Sequence, residues 1–145
     1  LTNVLLPQAE TELQLLPLAE RAAILSAARK LEALGPDLGY PHSSAVRDAD
    51  RLRELRPRGG RSAWRAFYRR FGDVFVVAAV GSEAEAHPRG FKRAVAAAEA
   101  RMPEFRDAWD RSAFAREVAI RVVSYRADRG LTQAQLAGRS ACSSR

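Results

Sequence analysis

The spacing of apolar positions changes along the chain, and the changes mark out its elements. Thr2 to Leu6 is a short apolar run closed by Pro7, which predicts a strand. Gln8 to Leu16 follows as a short helix, and Pro17 breaks it. From there Leu18, Ala22, Leu25, Ala28, Leu31 and Leu34 recur at spacings of three and four, the stripe of an amphipathic helix. Gly35-Pro36 ends that helix, because glycine accepts the left-handed turn and proline cannot continue the ladder. An antiparallel helix pair packed on another layer is the expected result. Asp37 to Asp50, with Gly39, Pro41, Ser43 and Ser44, reads as a loop.

Beyond residue 50 the period becomes two. Arg51 to Arg56, Ser62 to Arg70 and Val74 to Val80 read as three strands. Pro57-Arg58-Gly59-Gly60 joins the first two as a hairpin, and Gly72-Asp73 joins the second and third. Val74 to Val80 is apolar on both parities, which predicts a strand covered on both faces. Arg89 to Met102 reads as a helix, with Phe91, Val95, Ala98 and Met102 on one side and Pro103 as its end. The pattern predicts an α+β fold: an N-terminal helix pair packed on a small, mainly antiparallel four-stranded sheet with a closing helix, followed by a helical tail. Residues 1–105 form the first domain on this reading and residues 106–145 the tail. In the tail, Asp110 or Ser112 caps a helix carrying Phe114, Val118, Val122 and Tyr125. Leu131 to Ala137 opens a second, and Gly138 to Arg145 has no apolar periodicity.

Charge changes the picture more than composition does. The 145 residues are 47% hydrophobic, enough for one modest core, and carry a net charge of +7. Residues 1–50 hold four Lys/Arg against seven Asp/Glu, whereas residues 51–101 hold twelve against five. Eight arginines and one acid, Glu54, lie between Arg51 and Arg70. Arginine grips phosphate through a planar fork and stays charged, so this density points to a polyanion partner, set against an ordinary solvated face. No apolar run approaches the roughly 20 residues of a membrane helix, so no membrane partner is expected. The opening residues lack the basic start of a signal peptide, and a cytoplasmic location is expected. One cysteine, Cys142, and two histidines, His42 and His87, are too few for an internal disulfide or a convincing zinc site.

Leu52-Arg53-Glu54-Leu55-Arg56, then Trp64-Arg65-Ala66-Phe67-Tyr68, then the apolar strand, stand in the order strand, helix pair, loop, three strands, helix. In this order residues 2 to 105 resemble the RelE/HigB toxin superfamily, most closely its phage-derived toxin-like branch. The resemblance implies the toxin of a type II toxin–antitoxin system, an endoribonuclease that cuts messenger RNA, often on the ribosome, without metal or other cofactor. The ribose 2′-hydroxyl attacks the adjacent phosphate while cations on a rigid sheet neutralise the developing charge. Carried over, the resemblance makes Arg56 and Arg65 catalytic phosphate ligands. Arg61, Arg69, Arg89 and Lys92 are the expected further RNA contacts. Tyr68 could stack on a base, but alternation sends it to the face opposite Arg65, so a core tyrosine is the stronger reading. Glu54 is expected to pair with a neighbouring arginine and orient it, the stronger reading when set against a general-base role.

The sequence departs from the family after the last strand. Many relatives place a histidine or aromatic and two lysines there, whereas this loop runs Gly81-Ser82-Glu83-Ala84-Glu85-Ala86-His87-Pro88. His87 is the candidate replacement base, weighed against an ordinary exposed loop histidine. Arg89, Lys92 and Arg93 are candidates for the missing phosphate contacts. In the tail, Leu131-Thr132-Gln133-Ala134-Gln135-Leu136-Ala137 resembles the start of a Cro/repressor-type helix-turn-helix, as in HigA-type antitoxins. The recognition helix that should follow is missing, so specific DNA binding by this chain alone is not expected. The partners implied are messenger RNA, the ribosome and a HigA-like antitoxin. Two other readings stay open: a catalytically weak RNA-binding or regulatory protein of the same fold, and a DNA-binding regulator acting through the tail.

Overall fold

The doubly apolar run after Asp73 becomes the most deeply buried strand among the described residues. In the computed structural model, which describes residues 2–111, five strands form one sheet. They are β1 (Thr2–Leu5), β2 (Ser43–Ala45), β3 (Arg53–Leu55), β4 (Trp64–Phe71) and β5 (Val74–Ser82), in the order β1-β5-β4-β3-β2. β1 runs parallel to β5, and every other pairing is antiparallel. The helices are α1 (Pro7–Gln14), α2 (Leu18–Leu34) and α3 (Pro88–Arg111). The fold is α+β, and no helix among the described residues is long and apolar enough to cross a membrane.

Burial explains the layers. Every residue from Val74 to Val80 is buried, because α1 and α3 pack on β5 while β1 and β4 flank it. Phe91 of α3 meets Phe67 of β4 edge-on at 5.5 Å, and Ala94, Ala98 and Met102 continue the same buried line. α2 covers the sheet through Ile24, Ala28 and Leu31. Leu18 and Leu34, both placed on the apolar stripe by spacing, are 74% and 51% exposed. The helix is longer than the surface beneath it, so only its middle turns are covered. Gly35 ends α2 at φ 58°, the left-handed conformation that glycine accepts without strain.

The structure differs from the sequence expectations at two further places. The sheet has five strands rather than four, since β2 lies within the segment expected to be a loop. Ser43-Ser44-Ala45 has no strand pattern of its own; it becomes extended by pairing with β3, Ser43 opposite Leu55 and Ala45 opposite Arg53. α3 passes through Pro103 to Arg111 instead of ending there, so Asp110 lies inside it and is not a cap. Proline costs a helix one hydrogen bond and a clash, roughly 3 kcal/mol. The aromatic ladder of Phe71, Phe105 and Trp109, with centroids 5.4 and 5.7 Å apart, offsets that cost by holding the last turns on the molecule. The remaining tail elements expected from the sequence lie outside the described residues.

A bulge in β5 pairs Phe67 with Ala79 but Tyr68 with Val77, leaving Ala78 unpaired on that side. On the opposite side β1 has already ended, and the edge is closed by side chains. Leu6 N donates to Val77 O at 3.0 Å. Next to it Arg101 Nη1 donates to Ala78 O at 2.8 Å, and Val80 N donates to Glu12 Oε1 at 3.0 Å. Arg101 and Glu12 also bond each other at 2.9 and 3.0 Å. This ion pair stands where a strand would pair, which blunts an otherwise open sheet edge.

Candidate functional site

The register of β3 on β4 sorts the arginine-rich segment onto two faces. Glu54 lies opposite Phe67, and Arg53 opposite Tyr68. Alternation therefore sends Glu54, Arg65 and Phe67 to the α3 face, and Arg53, Leu55, Ala66 and Tyr68 to the α2 face. Tyr68 is 2% exposed; its hydroxyl bonds Ser43 Oγ at 2.6 Å and its ring meets Phe75 edge-on. It is a core tyrosine, as alternation required.

Glu54 is the centre of the first face. Its Oε1 accepts from Arg56 Nη1 at 2.8 Å and from Ser44 Oγ at 3.0 Å, while Arg65 Nε stands 4.0 Å from Oε2. The Glu54–Arg56 pairing is the one expected of a lone acid among arginines. Arg56 also donates through Nε to Pro41 O at 3.0 Å, and its guanidinium lies 5.2 Å above the Tyr40 ring. Gly60 leaves room for it: a Cβ there would stand 2.6 Å from Arg56 Nη2. Arg56 is thus held on three sides and keeps 19% of its side chain exposed.

Arg65 is differently placed. It is 2% exposed, and its guanidinium donates to Ser62 O at 2.6 Å, Trp64 O at 3.0 Å and Gly60 O at 3.2 Å. Burial, and then the neighbouring Arg56 charge, push its pKa down, while Glu54 and Glu83 oppose them. Glu83 Oε2 lies 4.0 Å from Arg65 Nη2. A removable phosphate-binding surface group is not what this geometry describes; Arg65 ties the turn between β3 and β4 to the sheet. Arg65→Ala is therefore expected to cost stability, because three carbonyls would lose a charged donor.

The remaining candidates spread along the rim. Arg61 is exposed and donates to Arg58 O at 3.0 Å; Arg69 donates to Asp50 O at 2.6 Å. Arg89 and Lys92 are exposed at the start of α3. His87 precedes α3 and accepts from Gly90 N through Nδ1 at 2.9 Å, which leaves Nε2 open. Glu83 spends its carboxylate on the backbone N–H groups of Glu85 and Ala86 in the same loop. His87 lines a cleft of about 570 Å³ with Trp64, Ser82 and Arg93, whereas Arg56 borders a different cleft beneath α2. The structure thus brings Arg56 and Arg65 together around Glu54 and leaves His87 apart from Arg56.

Three contributors escaped the sequence reading: Ser44, Tyr40 and the Glu20 carboxylate. Glu20 accepts from Arg58 Nη1 and Ser62 Oγ, each at 2.7 Å, and these bonds hold its carboxyl below the usual range. Each of the three reaches the site from 10 or more positions away in sequence, and no local pattern announces them. Among the described residues no group of three His, Cys, Asp or Glu is placed to hold a metal ion.

No curated protein matches this chain. The model of the family described as "Phage derived protein Gp49-like (DUF891)" matches residues 11–102, a span that takes in the second half of α1, all of α2, both strands of the arginine cluster, β5 and the buried turns of α3. The chain belongs to the Gp49-like family of phage-derived proteins.

Proposed function

We propose that this protein is the toxin of a type II toxin–antitoxin pair, a metal-independent endoribonuclease of the RelE/HigB type that cleaves messenger RNA. Its family membership supports the reading, and one observation carries it: a carboxylate, Glu54, set between Arg56 and Arg65 on a rigid sheet. In this reading Glu54 takes the proton from a ribose 2′-hydroxyl, and that oxygen attacks the adjacent phosphorus. The bond from phosphorus to the 5′-oxygen breaks, and the leaving oxygen takes a proton from solvent. A cyclic phosphate and a free 5′-hydroxyl remain. Arg56 stabilises the charge that builds on the phosphate oxygens. Arg65 is a positioning residue that holds Glu54 and the turn behind it. Arg61, Arg69, Arg89 and Lys92 contact the RNA backbone, and His87 lies on its path. A HigA-like antitoxin would cover this face with an acidic segment.

A second reading, RNA binding with little cleavage, is favoured by Glu83. This acid stands beside Arg65 in the loop where relatives carry lysines.

The test is inducible expression in a bacterium, with growth and transcript 5′ ends followed together, for wild type, Glu54→Gln and Arg56→Ala. Growth arrest with new 5′-hydroxyl ends, both lost in variants that melt like the wild type, is the expected result. Arrest that persists in folded Arg56→Ala would sink the assignment. Intact messages with retained RNA binding would establish the second reading instead.

A further inference from the structure

The opposite face of the same sheet carries a second basic site that the proposed nuclease does not use. We infer that the cleft formed by Arg51, Arg53 and Arg70 around Tyr68 is a binding site for the phosphate of a nucleotide. The cleft has a volume of about 600 Å³ and is bordered also by Pro36, Leu38 and Phe75. No carboxylate lines it, and none of the three arginines has an acid within 4.0 Å among the described residues. In the same segment Arg56 is neutralised by Glu54 and Arg58 by Glu20, while Arg61 and Arg69, which bond only backbone carbonyls, do not line this cleft. Three cations gathered without a counter-charge repel one another, and an anion between them relieves that repulsion.

Two of the guanidiniums are oriented. Arg53 donates through Nε to Ser43 Oγ at 3.1 Å, and Arg70 through Nε to Gly72 O at 2.7 Å. In each, one side of the fork is fixed and the terminal nitrogens remain for a ligand. The Ser43–Tyr68 hydroxyl pair adds a donor. With Ser43 Oγ accepting from Arg53 and donating its own hydrogen to Tyr68 Oη, the Tyr68 hydroxyl hydrogen is left for a ligand. Tyr68 borders the cleft. The apolar floor of Leu38 and Phe75 favours a ligand that couples a phosphate to a flat, weakly polar ring, which describes a nucleotide better than an acidic peptide. The phosphate could belong to a free mononucleotide or to a single-stranded RNA that continues past the Glu54 face.

The experiment is a titration of the full chain with adenosine 5′-monophosphate, then with an eight-nucleotide single-stranded RNA, followed by nitrogen–proton correlation spectra. The Nε–H signals of Arg53 and Arg70 and the amides of residues 35–39 are expected to shift. The double variant Arg51→Asn, Arg70→Gln should weaken the affinity by about tenfold or more. Both positions are exposed, and asparagine accepts the positive φ of 54° at Arg51, so the variant keeps its fold; its melting temperature checks this. Saturable shifts with the mononucleotide assign the site to a free nucleotide, and shifts with the RNA alone assign it to a strand. Shifts confined to the Arg56 face, an unchanged affinity in the folded double variant, or binding of a polyglutamate peptide with no response to either nucleotide probe would each overturn the proposal. Because the readout is local to the α2 face, it is independent of whether the Glu54 face cleaves RNA.

Discussion

Arg65→Ala separates a scaffold role from a direct one. The substitution removes a 2% exposed guanidinium that donates to three backbone carbonyls and lies within 4.0 Å of two carboxylates. Hydrogen bonds to a charged donor contribute about 1.5–3 kcal/mol each, but the carbonyls partly recover through water once the cavity opens. Charging the loss as that of a buried, partnered ion gives about 3–5 kcal/mol. That is a large share of the roughly 5–15 kcal/mol that stabilises a domain. With a urea slope of about 1.5 kcal/mol/M, the unfolding midpoint falls by about 2–3 M. Arg65→Lys keeps the charge but cannot span three carbonyls, and it should lie between the two. Arg56→Ala, which loses the pair with Glu54, the bond to Pro41 O and the contact with the Tyr40 ring, all partly exposed, should cost about 1–2 kcal/mol. Equilibrium unfolding in urea, followed by tryptophan fluorescence, measures all three. An Arg65→Ala protein within about 0.5 kcal/mol of wild type, yet inactive on RNA, would refute the scaffold argument and return Arg65 to the reacting groups.

Three more outcomes follow from single contacts. The Glu20 carboxyl is held below its usual 4.5 by hydrogen bonds from Arg58 and Ser62, so its contribution is fully present above pH 4.5 and is lost as pH falls through the lower folded value; Glu20→Gln should be less stable than wild type at pH 7 and converge on it in acid, as read from melting temperatures between pH 7 and 3. Gly60→Ala places a methyl 2.6 Å from Arg56 Nη2 at a φ of 92°, so it should lose about 1–2 kcal/mol and displace Arg56, seen as weaker RNA binding at a temperature where the variant is folded. Pro103→Ala restores the ladder of α3 at an exposed position and should raise stability by about 1–3 kcal/mol in the same urea assay; a lower midpoint would mean that proline sets a bend the aromatic ladder needs.

The elements readable in advance were those whose own residues suffice to form them. Val74 to Val80 announced a doubly covered strand because its residues are apolar on both parities, and Gly35-Pro36 announced the end of α2 through backbone conformation alone. Glu54 pairing with Arg56 was legible because the two residues sit two apart on one strand face. β2 was not legible, since Ser43 to Ala45 is extended only because β3 offers it a ladder. The continuation of α3 past Pro103 was hidden for the same kind of reason: Phe71, 34 positions upstream of Phe105, supplies the packing.

Charge density was a property of the sequence, but its division was not. Eight arginines between residues 51 and 70 pointed to a polyanion without saying which of them could reach one. Only the register of β3 on β4, with its turn at residues 57–60, buried Arg65 beneath three carbonyls, gave Arg56 a carboxylate and left Arg51, Arg53 and Arg70 without one. Local spacing determines which side chains share a strand face, because that periodicity is built into the backbone. Burial and counter-charge depend on atoms brought in from elsewhere in the chain, so the tertiary structure alone decided which arginines hold the fold together and which remain for a ligand.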